Sequence, residues 1–322
     1  MSTPLPPDAP ASPDADVIVV GGGPAGATIA TLLARQGRQV LLFEKARHPR
    51  FHIGESLLPA NVPLLEKLGV REQVDAIGMP KWGVEFVSAE HPQPAYIEFA
   101  DAWDKSQPKA WQVRRAEFDE ILLRNAEAAG ARVLEQTAVT GASFDAEGVT
   151  VETRGEPGPR RWRGRYLVDA SGRDALLATQ LGWKQRNRRH NSAALFAHFR
   201  GARRLPGRRE GNISIFWFRH GWFWFIPLAD GSTSVGAVCW PEYLKSRRVP
   251  LAQFLHDTIA QVPALAQRLE GASLVDDKVW ATGNYSYSAR RCTGERFMLL
   301  GDAHGFIDPV FSSGVYLAMV SA

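Results

Sequence analysis

An apolar run at residues 17–20 breaks directly into Gly21-Gly22-Gly23-Pro24-Ala25-Gly26, and this junction constrains the fold more than any other part of the chain. The run has the composition of a buried parallel strand. Gly21, Gly23 and Gly26 carry the G-x-G-x-x-G spacing. The first permits a tight turn, the second lets the backbone approach a diphosphate, and the third lets a helix pack closely on the strand. Residues 27–36 read as a helix of small and apolar side chains that ends at Gly37, and residues 39–43 read as a second strand ending in Glu44. An acid about 20 residues after the glycines is placed to bond a ribose hydroxyl. The sequence therefore predicts a dinucleotide-binding βαβ unit. Its diphosphate lies at the helix N-terminus beside Pro24 and Ala25, with Glu44 and Lys45 at the end of the second strand.

Composition bounds the rest. The chain has 322 residues, enough for one large domain or two smaller ones. Its 45% hydrophobic and 22% charged fractions are those of a soluble enzyme. The net charge of +4 is mildly basic. Much of the excess falls in residues 184–209, which include Arg186, Arg188, Arg189, Arg203, Arg204, Arg208 and Arg209. This stretch reads as a solvated, arginine-rich region, with a docking surface for an acidic partner as the alternative. No helix-turn-helix, zinc or RNA-binding signature accompanies the charge, which argues against nucleic acid. The two cysteines, Cys239 and Cys292, have no metal-binding or redox spacing, so no metal site is expected and a reducing cytoplasm fits. No apolar run is long enough to span a membrane. Residues 1–15 are rich in Pro, Ala and Ser, lack signal-peptide regions, and read as a disordered lead-in.

Three further segments choose between dinucleotides. Residues 112–119 (QVRRAEFD) lead into a helix, residues 166–173 (YLVDASGR) run from a strand into a glycine turn, and residues 297–303 (FMLLGDA) are an apolar strand ending in Gly-Asp. Together they resemble the flavoprotein monooxygenase superfamily, whose members share the p-hydroxybenzoate hydroxylase fold. That resemblance implies FAD, with Asp302 on the ribityl chain and Arg115 near the phosphates, Arg114 being the second choice. No second glycine-rich unit supports a stable nicotinamide site.

Four elements narrow the resemblance to flavin-dependent halogenases. Residues 54–59 read G-E-S-L-L-P, placing Glu55 and Ser56 near the flavin. Lys81 stands where that family carries a catalytic lysine. Residues 222–227 read W-x-W-x-I-P, and residues 306–314 read F-x-x-P-x-x-S-x-G, which includes Pro309. The resemblance implies FADH2 from a separate flavin reductase, dioxygen, and chloride or bromide. Hypohalous acid made beside the flavin would halogenate an electron-rich aromatic kept away from it. Trp222 and Trp224 would be the wall, and Ile226-Pro227 would hold the strand end. The amides of Ser313 and Gly314 would cradle the halide, and Lys81 would carry or hydrogen-bond the electrophilic halogen. Read alone, the Trp and Phe alternation is sheet core, and Lys81 is a surface lysine.

The Gly-Gly-Gly-Pro-Ala-Gly form is nearer the branch acting on phenols or pyrroles, often tethered to an acidic carrier protein that residues 184–209 could dock. A monooxygenase or geranylgeranyl-reductase-like oxidoreductase of the same fold, and a non-catalytic flavin-binding protein, remain alternatives. The predicted fold is α/β: a Rossmann-like FAD domain from residues 16–79, 111–183 and 281–322, and a mostly β substrate domain from residues 80–110 and 184–280. Residues 223–240 read as a hairpin and 251–269 as a helix. The chain stops inside an apolar helical run, so the FAD domain is expected to be incomplete at its C-terminus.

Overall fold

In a computed structural model, the structure describes residues 13–156, 158–187, 192–283 and 286–322. The strand predicted at the glycine junction is Ala15–Val20, paired in parallel with Val40–Phe43 on one side and Arg160–Asp169 on the other. Arg132–Leu134 and Phe297–Leu299 extend the parallel sheet at either side. Ala138–Phe144 and Val149–Arg154 form an antiparallel flap on Arg160–Asp169. Of the expected lead-in, residues 1–12 lie outside the described residues, and Ala15 already belongs to the first strand.

Both faces of this sheet are covered, as the continuous apolar strands require. Val19 and Leu42 pack with Ile29, Leu123 and Ala126 beneath helices Pro24–Arg35 and Arg115–Ala128. Ile18, Val20, Leu41 and Phe43 pack on the opposite face with Trp162 and Leu177. Full burial of such a side chain contributes about 1.5–3 kcal/mol. The first helix begins at Pro24, three residues before the sequence suggested, because proline's fixed φ and missing N–H suit the first helical position.

The second sheet runs in the order Ser273–Leu274, Ala193–Arg200, Ser232–Cys239, Gly221–Pro227, Ile213–Phe218, Gly83–Val87 and Ala95–Glu98. The expected hairpin is present: Gly221–Pro227 and Ser232–Cys239 pair antiparallel, Trp224 opposite Gly236. Period-2 alternation divides the aromatic strand. Phe223 and Phe225 face the core under helix Leu251–Ala260, whereas Trp222, Trp224 and Ile226 face the other side with Phe196 and Ile213. The helix expected over 251–269 is two, Leu251–Ala260 and Pro263–Arg268, because Pro263 cannot continue the preceding helix.

The strands depart from the expected boundaries at two points. Trp280–Gly283 pairs with Ala193–Arg200, so the second sheet continues past 280. Lys184–Arg186 leaves that sheet and pairs with Tyr287–Ala289, which in turn pairs with Gly305–Phe306. Met79–Lys81 and Ala110–Gln112 form a separate short ladder between the two sheets' segments.

Candidate active site

The carboxyl ends of the parallel strands open into a cavity of about 490 Å³ that extends under the tryptophan face of the second sheet. Gly21 sits at φ +99°, where a Cβ would lie 2.4 Å from the Ala170 carbonyl oxygen, and a Cβ on Gly26 would lie 1.8 Å from the Gly21 oxygen. Neither position tolerates a side chain. The helix that follows has no side-chain cap. Its first turn therefore presents free N–H groups and the positive end of its dipole to the cavity, which Gly23, Pro24 and Ala25 line. Glu44 is buried; its Oε2 accepts from the Gly22 N–H at 2.7 Å and its Oε1 from Ala46 N–H at 2.8 Å. Lys45 pairs with Asp174 at the rim.

The next stretch of cavity is cationic. Arg115 is buried and donates Nε and Nη2 to Asp119 at 2.8 and 3.0 Å, and Nη1 to the Ile53 carbonyl at 2.9 Å. Arg50 donates to the same carboxylate at 3.1 Å. Against its burial, these two guanidinium groups hold Asp119 below the usual carboxylate range. The Arg115 charge, then burial, push His52 down to about 4, so it lines the cavity as a neutral imidazole. Arg114 turns away, to Asp230 at 2.8 Å and Ser232 at 2.7 Å.

Asp302 closes this end. Its carboxyl faces the cavity with no hydrogen-bond partner among the described residues, and burial raises it to about 6, with Arg115 and Arg173 opposing. A half-desolvated carboxyl beside two guanidinium groups suits a ligand that combines hydroxyls with phosphates. The residues thus fit FAD: an uncapped helix N-terminus and arginines for the diphosphate, and Asp302 for the ribityl hydroxyls.

At the far end lie Trp222, Trp224 and Ile226. Trp224 donates Nε1–H to Ser234 Oγ at 3.0 Å, and its ring packs 5.7 Å from Phe196. Pro309 and Gly314 also line the cavity. Ser312 is left-handed at φ 56° and Ser313 right-handed, a succession that turns consecutive N–H groups toward one point ahead of helix Gly314–Ser321. Four expected residues do not line the cavity themselves: Gly26 packs helix on strand, Pro227 ends its strand, Ser313 lies between two lining neighbours, and Lys81 stands behind Ser56.

Lys81 is not the surface lysine its composition suggests. It is 2% exposed and donates to Ser56 Oγ at 2.9 Å and the Leu57 carbonyl at 3.0 Å, with the Phe99 ring 5.2 Å away. Burial lowers it to about 7, and among the described residues no carboxylate pairs with it.

The chain matches the family described as FAD binding domain over residues 14–322. It is 37% identical to a tryptophan 2-halogenase of Chondromyces crocatus and 36% identical to the flavin-dependent halogenase armH4 of Armillaria mellea, over 95% and 96% of this chain. It spans 59% and 64% of the length of those two relatives. The solved structure of the myxobacterial chondrochloren halogenase CndH, a variant FAD-dependent halogenase, superposes with a TM-score of 0.90 at 37% identity, covering 95% of this chain and 72% of that one. The chain belongs to the flavin-dependent halogenase family.

In this halogenase-family chain one cavity-lining residue and one residue behind the lining escaped the sequence reading. Arg50 stands 3.6 Å from where a Gly23 Cβ would be, at the diphosphate position, and His198 bonds Glu55. Neither belongs to a periodic pattern or a spaced motif. Among the described residues no group of side chains could hold a metal ion, and no helix is long and apolar enough to cross a membrane. The arginine stretch is largely engaged within the chain. Arg203 pairs with Glu270, Arg204 with Glu210, and Arg209 with Glu98, while Arg208 lies 3.9 Å over Trp82. Arg188 and Arg189 lie outside the described residues.

Proposed function

We propose that this chain carries the FAD-dependent half of a halogenation site for electron-rich aromatics: phenols, pyrroles or indoles, free or carrier-tethered. Gly21, Gly23, Pro24, Ala25 and Gly26 hold the diphosphate with Arg50 and Arg115; Glu44 and Lys45 flank the ribose; Asp302 and Pro309 flank the ribityl and ring portions beside Glu55 and Ser56. Bound as FADH2 from a separate flavin reductase, the flavin supplies the electrons with which dioxygen oxidises chloride or bromide to hypohalous acid. The amides of Ser313 and Gly314 bind the halide at an uncapped helix start. Trp222, Trp224 and Ile226, held by the strand end at Pro227, separate the aromatic substrate from the flavin end and exclude water.

The observation that carries this reading is Lys81. A fully buried lysine with no counter-charge among the described residues is costly, and such groups mark reactive sites. Two of its bonds go to Ser56 and Leu57, leaving one direction of the nitrogen for a third partner. As an ammonium it donates a proton there; as an amine it presents its lone pair. Either form can hold hypohalous halogen.

The test supplies a flavin reductase, NADH, oxygen and bromide, and follows brominated phenol, pyrrole and indole by mass spectrometry. Lys81→Ala should bind FAD like the wild type and form no brominated product. Halogenation by that variant would refute the role of Lys81, and hydroxylated product from the wild type would move the assignment to a monooxygenase.

A further inference from the structure

No motif or period marks Gly211-Asn212, yet this dipeptide grips the chain on both sides of Lys81. Asn212 is 1% exposed and does not line the cavity. Its Oδ1 accepts from Trp82 N–H at 2.8 Å and from Gly83 N–H at 3.0 Å. Two backbone donors on one atom identify it as the amide oxygen. The Trp82 N–H belongs to the peptide unit that carries the Lys81 carbonyl, so this bond fixes the ψ angle of Lys81. Gly211 meets the preceding peptide unit: a Cβ there would lie 2.0 Å from the Pro80 carbonyl oxygen. Gly83 is packed as closely, since a Cβ on it would lie 2.3 Å from the Ile97 carbonyl oxygen.

The same dipeptide is tied to the groups that Lys81 bonds. Gln112 Nε2 donates to the Gly211 carbonyl at 3.0 Å, and Gln112 bridges Ser56, whose Oγ accepts from Lys81. The ladder of Met79–Lys81 with Ala110–Gln112 closes the ring, Lys81 lying opposite Ala110. Directly after Asn212 begins strand Ile213–Phe218, which pairs with Gly221–Pro227, Ile215 opposite Trp224. One short piece of chain therefore sets both the lysine and the strand beside the tryptophan wall.

Resting on the reading that Lys81 holds the hypohalous halogen, we propose that Asn212 is the residue that positions Lys81, with Gly211 as its steric counterpart. A lysine carries its nitrogen on a flexible four-carbon stem. Ser56 and Leu57 hold the tip of that stem, and Asn212 holds its base. A turn of the Lys81–Trp82 peptide unit displaces the amine, and a misplacement of about 1 Å costs on the order of 100-fold in rate. Halogen held out of line is lost to water before it meets the aromatic ring. Asn212 acts through the lysine and takes no part in binding the flavin.

Two measurements on the full chain, loaded with FAD, test this. The first needs no halogenation: acetic anhydride labels the protein, and mass spectrometry follows each lysine. Asn212→Ala should acetylate Lys81 at least about tenfold faster than the wild type, with the exposed Lys105 and the ion-paired Lys109 unchanged. The second is a single turnover, in which reduced enzyme meets oxygen, bromide and whichever of phenol, pyrrole and indole the wild type brominates fastest. Brominated product per flavin should fall at least about tenfold in Asn212→Ala, with the Kd for FAD and the half-saturating aromatic concentration within about threefold of wild type. Asn212→Asp, whose carboxyl oxygen accepts the same two N–H groups in either protonation state, should recover most of the yield. Gly211→Ala, which displaces the Pro80 carbonyl, should reproduce the loss. An Asn212→Ala protein of unchanged Lys81 acetylation or unchanged yield overturns the proposal. So does an equal rise at Lys109, which would mean local unfolding, and so does an Asn212→Asp yield as low as that of Asn212→Ala. A wild type that brominates nothing refutes the halogenation reading, and the acetylation rates then decide the positioning of Lys81 on their own.

Discussion

A lysine amine in an apolar interior favours its neutral form, and Lys81 illustrates what that costs. Its folded-state value of about 7 lies below the 10.5 of an exposed lysine. Between those values the unfolded chain binds the proton that the folded chain does not, so stability rises with pH across that window. Below about 7 both states are protonated and the full penalty of burial is present. Lys81→Met should therefore be more stable than the wild type by about 1–3 kcal/mol near pH 6, although it leaves the Leu57 carbonyl without its donor. The gain should shrink steadily toward about pH 10. Thermal melts of both proteins at several pH values check this; a difference independent of pH would mean that Lys81 is charged throughout. Composition could not have found this residue, since lysines are surface residues by default. Only the company of the other motifs singled it out, and its burial came from the short ladder with Ala110–Gln112, which no local pattern announces.

Elements were legible where a period or a breaker wrote them. The Trp-Phe-Trp-Phe alternation encodes a strand with two different faces, and the structure uses one for the cavity and the other for the helix-covered core. The glycine turn was equally readable, because Gly21 and Gly26 answer steric demands. The course of residues 46–58 was not, although residues 54–59 were read as a motif, as the segment has no periodicity and takes its form from distant partners: Asp119 for Arg50, Arg115 for the Ile53 carbonyl, His198 for Glu55. Gly54 sits at its centre with φ +103°, and a Cβ there would stand 2.9 Å from Arg115 Nη1. Gly54→Ala meets both backbone strain of about 1–3 kcal/mol and a displaced guanidinium. The variant should bind FAD at least about tenfold more weakly, a loss of about 1.4 kcal/mol, with the helix content of the wild type. Fluorescence titration with FAD and circular dichroism separate these effects; unchanged affinity would show that Arg115 has no part in holding the cofactor.

The ion pairs inside the second sheet and the Arg114 ion pair across to the other half of the molecule differ in burial. Within the second sheet, Glu85 is fully buried and accepts from Arg268 at 2.7 and 3.0 Å, from Ser214 at 2.5 Å and from Tyr96 at 2.9 Å. Removing that carboxylate strands a partly buried guanidinium, so Glu85→Ala should cost about 3–5 kcal/mol. Across the seam, Arg114 reaches Asp230 and Ser232, but 43% of the Asp230 side chain remains exposed. Despite burial that would raise it, Ser232 and Arg114 hold Asp230 at about 2. A depressed carboxylate adds stability above its unfolded value and loses it as pH falls through the folded one. The Arg114–Asp230 contribution is therefore present near neutrality and gone by about pH 2. Solvent screening keeps it under about 1 kcal/mol. Arg114→Ala should thus barely move the melting temperature, yet speed amide exchange in residues 53–57 and 228–232, on the two sides of the seam. If it instead destabilises as much as Glu85→Ala, the sheets behave as one rigid unit, and the cavity has no compliant side through which a flavin and an aromatic substrate could enter.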